Sequence, residues 1–193
     1  ATAALRRDTL QPKAWRALAM AEPNGLNGGS QKSFAFLRMA SYVSKRDTAT
    51  SALLFQEYVR RRNVPEAFRQ FDLAMRRSPE ARQAMLPPIL PGLGDQEFRR
   101  YIISALAEQV PWGADLLKAM ALSPPPDETV TQFVAELPDS VVARQRNAMQ
   151  TLAASLVQAG RLNSAQTLSR RLLPLGTNVL DGDFESSERA PPL

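Results

Sequence analysis

The stretch TSALLFQEYVRRRNVPEAFRQFDLAMRRSPE, residues 50 to 80, limits what this chain can fold into more than any other. Leu53, Leu54, Phe55 and Tyr58 form an apolar stripe at helical spacing. Arg62-Asn63-Val64-Pro65 follows as a tight turn, and Pro65 suits the first turn of a new helix because the N–H it lacks has no intrahelical partner there. The second helix carries Ala67, Phe68, Phe71, Ala74 and Met75. It is expected to stop at Ser78-Pro79, since the residue before a proline is pushed out of the helical region. Two antiparallel helices with a small residue, Ala67, at their close contact are the result.

The order Leu54, Phe55, Tyr58, then Ala67, Phe71, Ala74 and Pro79 resembles the tetratricopeptide repeat, a helix–turn–helix of about 34 residues. One such unit cannot bury its own apolar face, so neighbours of the same period are required. Upstream, Trp15, Leu18 and Ala19 lie on one predicted helix, and Leu37 and Ala40 on the next, with Ser33 at the small position. The loop between them, EPNGLNGGSQ, is turn chemistry throughout. Glu22 stands where the central hairpin has Tyr58, and Lys45-Arg46 where it has Ser78-Pro79. Downstream, Leu152, Ala153 and Leu156 precede the turn Ala159 to Asn163, and Ala165, Ser169 and Leu172 follow at the spacing of Ala67, Phe71 and Ala74. The resemblance spans three hairpins, about half the chain, and implies an all-α, right-handed solenoid of antiparallel helix hairpins. Ordinary hairpins of a helical bundle are the alternative.

Between these hairpins the chain keeps helical periodicity without the repeat signature. Expected helices cover residues 80 to 92, interrupted by Pro87-Pro88; Gln96 to Gln109, capped by Asp95; a short one begun by Val110-Pro111-Trp112; and Glu128 to Leu137 after a proline-rich break. They are read as divergent hairpins of the same array. Asp47-Thr48 is a cap for the first helix of the central hairpin. The opening ALRRD resembles the end of a preceding repeat, and a chain that begins at Ala1 rather than Met leads us to expect an upstream segment. No strand pattern appears from residue 1 to 175, which we take as one helical domain. Residues 176 to 193 are locally acidic, and Asn178-Val179-Leu180-Asp181-Gly182-Asp183-Phe184-Glu185 resembles the opening strand of a carbohydrate-binding-like β-sandwich. A linker or short extended tail reads equally well there.

Composition removes whole classes of chemistry. No cysteine and no histidine are present, which excludes disulfides and thiolate nucleophiles and removes the commonest general base and metal ligand. Gly25-Leu26-Asn27-Gly28-Gly29 lacks the Lys-Ser/Thr of a phosphate loop. Glu57 and Glu66 are carboxylates without a legible catalytic partner. We therefore expect no enzyme, no cofactor and no metal site. No apolar run of about 18 residues spans a membrane, and no signal peptide is visible. Absent cysteine suits an oxidising compartment, so a periplasmic or membrane-associated place is favoured over the cytoplasm.

The chain carries a net charge of +5, and all its basic residues except Lys13, Lys32, Lys45 and Lys118 are arginine. They fall in pairs such as Arg60-Arg61-Arg62, Arg76-Arg77, Arg99-Arg100 and Arg170-Arg171, which read as solvated helix C-termini favoured by the macrodipole. A nucleic-acid surface would cluster charge on one face and interleave aromatics, which here occupy core-like positions. Ala67 and Ala165 are expected at close helix contacts, and Trp15, Phe71 and Trp112 in the core.

The function expected is a non-catalytic scaffold that binds a protein or peptide, as part of a larger bacterial protein. A helical accessory domain of an exopolysaccharide-assembly or carbohydrate-binding protein is the alternative, and a helical-repeat nucleic-acid binder a weaker one. In the tetratricopeptide family the first helix of each pair lines a concave groove. By position this implies Arg16 and Met20 in the first hairpin, Ala52, Gln56, Val59 and Arg60 in the second, and Asn147, Gln150, Ala154 and Gln158 in the third. Such an amide-rich set suits backbone hydrogen bonding to an extended chain, with Arg16 and Arg60 choosing an acidic side chain. Filling of the groove by residues 176 to 193 is the competing expectation.

Overall fold

Short polar side chains set the helix starts. In the computed structural model, which describes residues 10–23 and 30–172, Asp47, Asn63, Ser78 and Asp95 each accept a hydrogen bond from the backbone N–H three residues on. Each satisfies one of the free donors of a first helical turn. The described residues form eleven α-helices and no strand. These are α1 (Pro12–Ala21), α2 (Gln31–Val43), α3 (Thr48–Arg60), α4 (Val64–Arg77), α5 (Pro79–Ile89), α6 (Gln96–Ala107), α7 (Gly113–Leu122), α8 (Asp127–Glu136), α9 (Asp139–Arg144), α10 (Arg146–Gln158) and α11 (Leu162–Leu172). A 3₁₀ turn, Leu90–Gly94, joins α5 to α6.

The three hairpins read from the sequence are the three most intimate helix pairs: α3 with α4, α1 with α2, and α10 with α11. Ala67 and Ala165 are buried, as their small size requires. Ser33 uses the same small position differently, its hydroxyl donating to the Ala19 carbonyl across the α1–α2 contact at 2.8 Å. The middle of the chain departs from expectation. Consecutive helices there are not close hairpins. Instead α3 packs on α5, α5 on α7 and α7 on α10, while α4 packs on α6, α6 on α8 and α8 on α11. Two series of contacts thus run through the molecule, next-but-one in chain order as far as α7 and α8 and one helix further apart after the short α9 is inserted.

Helix ends repeat as well. Asn63, Val110 and Arg161 each send their N–H back to the carbonyl five residues earlier, on Tyr58, Ala105 and Leu156. The residue before each is left-handed: Arg62 at φ 55°, Gln109 at φ 61° and Gly160 at φ 71°. This is the Schellman closure that satisfies the last helical carbonyls. It also ends α6 at Ala107, two residues short of the expected Gln109. Pro87 and Pro88 do not interrupt α5 but lie in its last turn, after which the chain tightens into the 3₁₀ turn. The short α9 had no periodic signal of its own.

One large core joins α4 to α11 around Phe71, Leu93, Ile102, Trp112, Phe133 and Leu152, all buried. The rings of Phe71 and Trp112 meet edge to face at 5.3 Å, and Trp112 Nε1 donates to Asp72 at 2.9 Å. Gly113 follows because a Cβ there would lie 2.9 Å from Leu106 Cδ2. A smaller cluster, Ala19, Leu37 and Leu54, holds α1 and α2 to α3. Trp15 is half-buried against Phe36 rather than a core residue.

Arg60, Arg76-Arg77 and Arg170-Arg171 lie in the last turns of α3, α4 and α11, as expected, but other arginines are buried or bridge helices. Arg99 lies in the first half of α6, 4% exposed, not at a helix C-terminus. It donates to the Leu93 carbonyl at 2.8 Å and to Glu136 of α8 at 2.9 Å. Arg82 reaches the Met75 carbonyl, Arg144 that of Leu106, and Arg146 that of Leu172. Guanidinium groups here close the carbonyl ends of neighbouring helices, a task that suits their forked donors better than a lysine ammonium. Residues 176 to 193, with the proposed β opening and tail, lie outside the described residues.

Candidate functional site

A depression of about 640 Å³ lies between α3 and α5. Phe55 and Val59 come from α3, Ala67 from α4, and Pro88, Ile89, Gly92 and Phe98 from α5, the 3₁₀ turn and α6. The prolines at the end of α5 create this wall, because the 3₁₀ turn that follows swings Gly92 against the Phe98 ring. A Cβ on Gly92 would touch that ring at 3.4 Å. Arg62, Asp95 and Glu97 line it too, so both signs of charge accompany the apolar residues. Asp95 is also occupied in capping α6, accepting from Phe98 N–H at 2.8 Å.

Val59 is the member of the sequence-derived set that lines this depression, with half of its surface exposed. Gln56 and Arg60 are exposed on the same helix. Met20 is exposed at the end of α1. Asn147, Gln150, Ala154 and Gln158 are exposed on α10, which the packing order separates from α3 by α5 and α7. The set is therefore strung along the molecule rather than gathered at one point. Pro88, Gly92 and Phe98 were not in it. A Pro-Pro pair two residues before a Pro-Gly step was the signal that could have pointed to them.

Both arginines expected to select an acidic ligand already hold carboxylates. Arg16 pairs with Asp47, the residue that caps α3, and so ties α1 to the start of that helix. Arg60 donates through Nε and Nη2 to Glu57 at 3.0 and 2.5 Å. Arg61 adds a bond to the same carboxylate at 2.8 Å and lays its guanidinium 4.1 Å from the Phe34 ring centroid. Glu57 is buried. Burial pulls its pKa up, but the hydrogen bonds and charges of Arg60 and Arg61 outweigh that pull and hold it below the ordinary glutamate range. The cluster is an anchor for the α3 C-terminus, where cations also meet the negative end of the helix dipole.

Among the described residues no group of three or more Asp and Glu side chains could hold a metal ion, and no helix is long and apolar enough to cross a membrane. The depression offers apolar contact bordered by both signs of charge, which suits a bound chain. Comparison with protein-family models, curated proteins and solved structures returns no match for this chain.

Proposed function

We propose that the chain is a non-catalytic, tetratricopeptide-like helical-repeat scaffold that holds a segment of a partner protein along its first-helix side, within a larger bacterial protein. The observation that carries this reading is the pair of contact series, α3–α5–α7–α10 and α4–α6–α8–α11. A solenoid of helix pairs stacks its helices in two such rows, and α9 lies beside them against α6, α10 and α11. The repeated Schellman closures at Arg62, Gln109 and Gly160 support it, as does the apolar depression between α3 and α5.

The occupant we assign is an extended chain with an apolar side chain over Phe55 and Val59. Selection by Arg16 and Arg60 is set aside, because each would have to leave Asp47 or Glu57. The test is cross-linking in the native organism with a photoreactive residue at Val59, at Gln150 and at exposed Tyr42. A partner cross-linked from position 59 that no longer co-purifies with the Val59→Glu variant supports the reading. A chain folded by circular dichroism whose Val59→Glu variant keeps every partner contradicts it.

A further inference from the structure

The second contact series has a gap at its start. α4 packs on α6 and α6 on α8, but α2 has no comparable contact with α4. Between them lies a groove of about 600 Å³, floored by α3. Met39 and Tyr42 from α2, Leu54 and Tyr58 from α3, and Leu73 from α4 make its apolar part. Arg38, Lys45 and Arg69 are its charged residues, and no carboxylate lines it. Arg69 pairs with Glu66 outside the groove, whereas Arg38 and Lys45 make no ion pair among the described residues. The α2 wall thus carries two cations without a carboxylate partner among the described residues, a charge that an acidic occupant would balance.

Gln70 gives the groove a second, independent feature. It is 2% exposed, lines the groove from α4, and its Oε1 has no hydrogen-bond partner. A buried acceptor left unmade is destabilising, and such groups call for an explanation. Tyr42 is 82% exposed at the rim and Met39 43%, an aromatic and an adaptable thioether beside the opening.

We propose that the α2–α4 groove docks an acidic amphipathic segment of a partner protein. Its apolar side chains rest on Leu54, Tyr58 and Leu73, its carboxylates meet Arg38 and Lys45, and one donor satisfies Gln70 Oε1. Charge complementarity selects this occupant: Arg38 and Lys45 line the groove from the α2 side with no carboxylate beside them, and a neutral or basic segment would leave both uncompensated. This surface is separate from the α3–α5 depression, so either assignment can fail without the other.

The experiment uses the full chain and a fluorescein-labelled 14-residue peptide of Glu, Leu and Phe, its apolar residues spaced i, i+3, i+4, i+7, read by anisotropy. Control peptides carry Lys for every Glu, or Ser for every apolar residue. We expect the acidic peptide alone to bind, with affinity falling as salt rises. Arg38→Glu with Lys45→Glu, both exposed positions, should weaken it by about tenfold or more. Gln70→Leu should weaken it about three- to tenfold, the value of one hydrogen bond, while raising the urea midpoint of the unbound chain because the orphan oxygen is gone. Equal binding of the Lys peptide, or indifference to the charge reversal, overturns the proposal. So does a response to Val59→Glu in place of Arg38 and Lys45, which seats the peptide in the other depression. Binding that appears only after residues 176–193 are removed assigns the groove to the chain's own acidic tail and overturns an external partner. A dimer dissolved by the same charge reversal assigns it to a second copy, with the same consequence.

Discussion

Replacing Arg99 by methionine tests whether guanidinium clamps hold this molecule together. Arg99 donates Nη1 to the Leu93 carbonyl at 2.8 Å and both Nε and Nη2 to Glu136, at 3.1 and 2.9 Å. It thereby ties the 3₁₀ turn and α8 to α6. The arginine is 4% exposed, but the Glu136 side chain keeps 38% of its surface in water. Glu136 can therefore rehydrate when its partner goes, and its ion pair is worth less than about 1 kcal/mol. The Leu93 carbonyl has no such escape, and a charged hydrogen bond to it contributes about 1.5–3 kcal/mol. Methionine refills most of the apolar volume of the arginine stem. The expected net loss is about 2 kcal/mol, or a fall in melting temperature of about 4–8 °C for a domain of this size. Urea denaturation followed by circular dichroism is the assay, since guanidinium chloride would screen the pair under test. Glu136→Gln should cost less than about 1 kcal/mol by the same argument. A loss under about 0.5 kcal/mol for Arg99→Met, or an equal loss for both variants, would refute the carbonyl clamp as the dominant interaction. Because Gly92 and Asp95 border the α3–α5 depression, Arg99→Met should also weaken any ligand held there.

Four further outcomes are expected. Gly160→Ala should lower stability by about 1 kcal/mol, since φ of 71° disfavours any Cβ although nothing crowds it, while Arg62→Gly and Gln109→Gly should be neutral or stabilising; urea midpoints that rank the other way contradict the turn assignment. Ala67→Leu should overpack the α3–α4 contact and cost about 1–3 kcal/mol, and an unchanged thermal melt would show slack there. Trp112→Phe should lose the bond to Asp72 and about 1–2 kcal/mol, checked by denaturation, with no loss if that bond is idle. Glu57 has a folded pKa below its unfolded one, so its contribution is fully present above the ordinary glutamate pKa and disappears as pH falls through the folded value. The stability gap between parent and Glu57→Gln should therefore be widest near neutral pH and close in acid, and a pH-independent gap would exclude the linkage.

Local rules written in the sequence determined the helices and the three hairpins. Asp47, Asp95 and Ser78 could be read as helix boundaries because capping and the restriction before proline act within one turn of chain. Ala67, Phe71 and Ala165 could be placed in the interior because a helix repeats its buried face every turn. The fate of the charges could not be read in the same way. Arg99 and Arg100 are neighbours, yet one is buried against α8 and the other exposed, and only the approach of Leu93 and Glu136 from distant positions decides which. Arg16 looked available for a ligand because Asp47 lies across a helix pair and reaches it only once the helices pack, whereas the Glu57–Arg60 pair, three residues apart on one helix, was open to reading from spacing alone. The two grooves also belong to the tertiary structure alone. One exists because a 3₁₀ turn follows α5, the other because α2 stops short of α4, and both depend on how helices far apart in sequence come to rest.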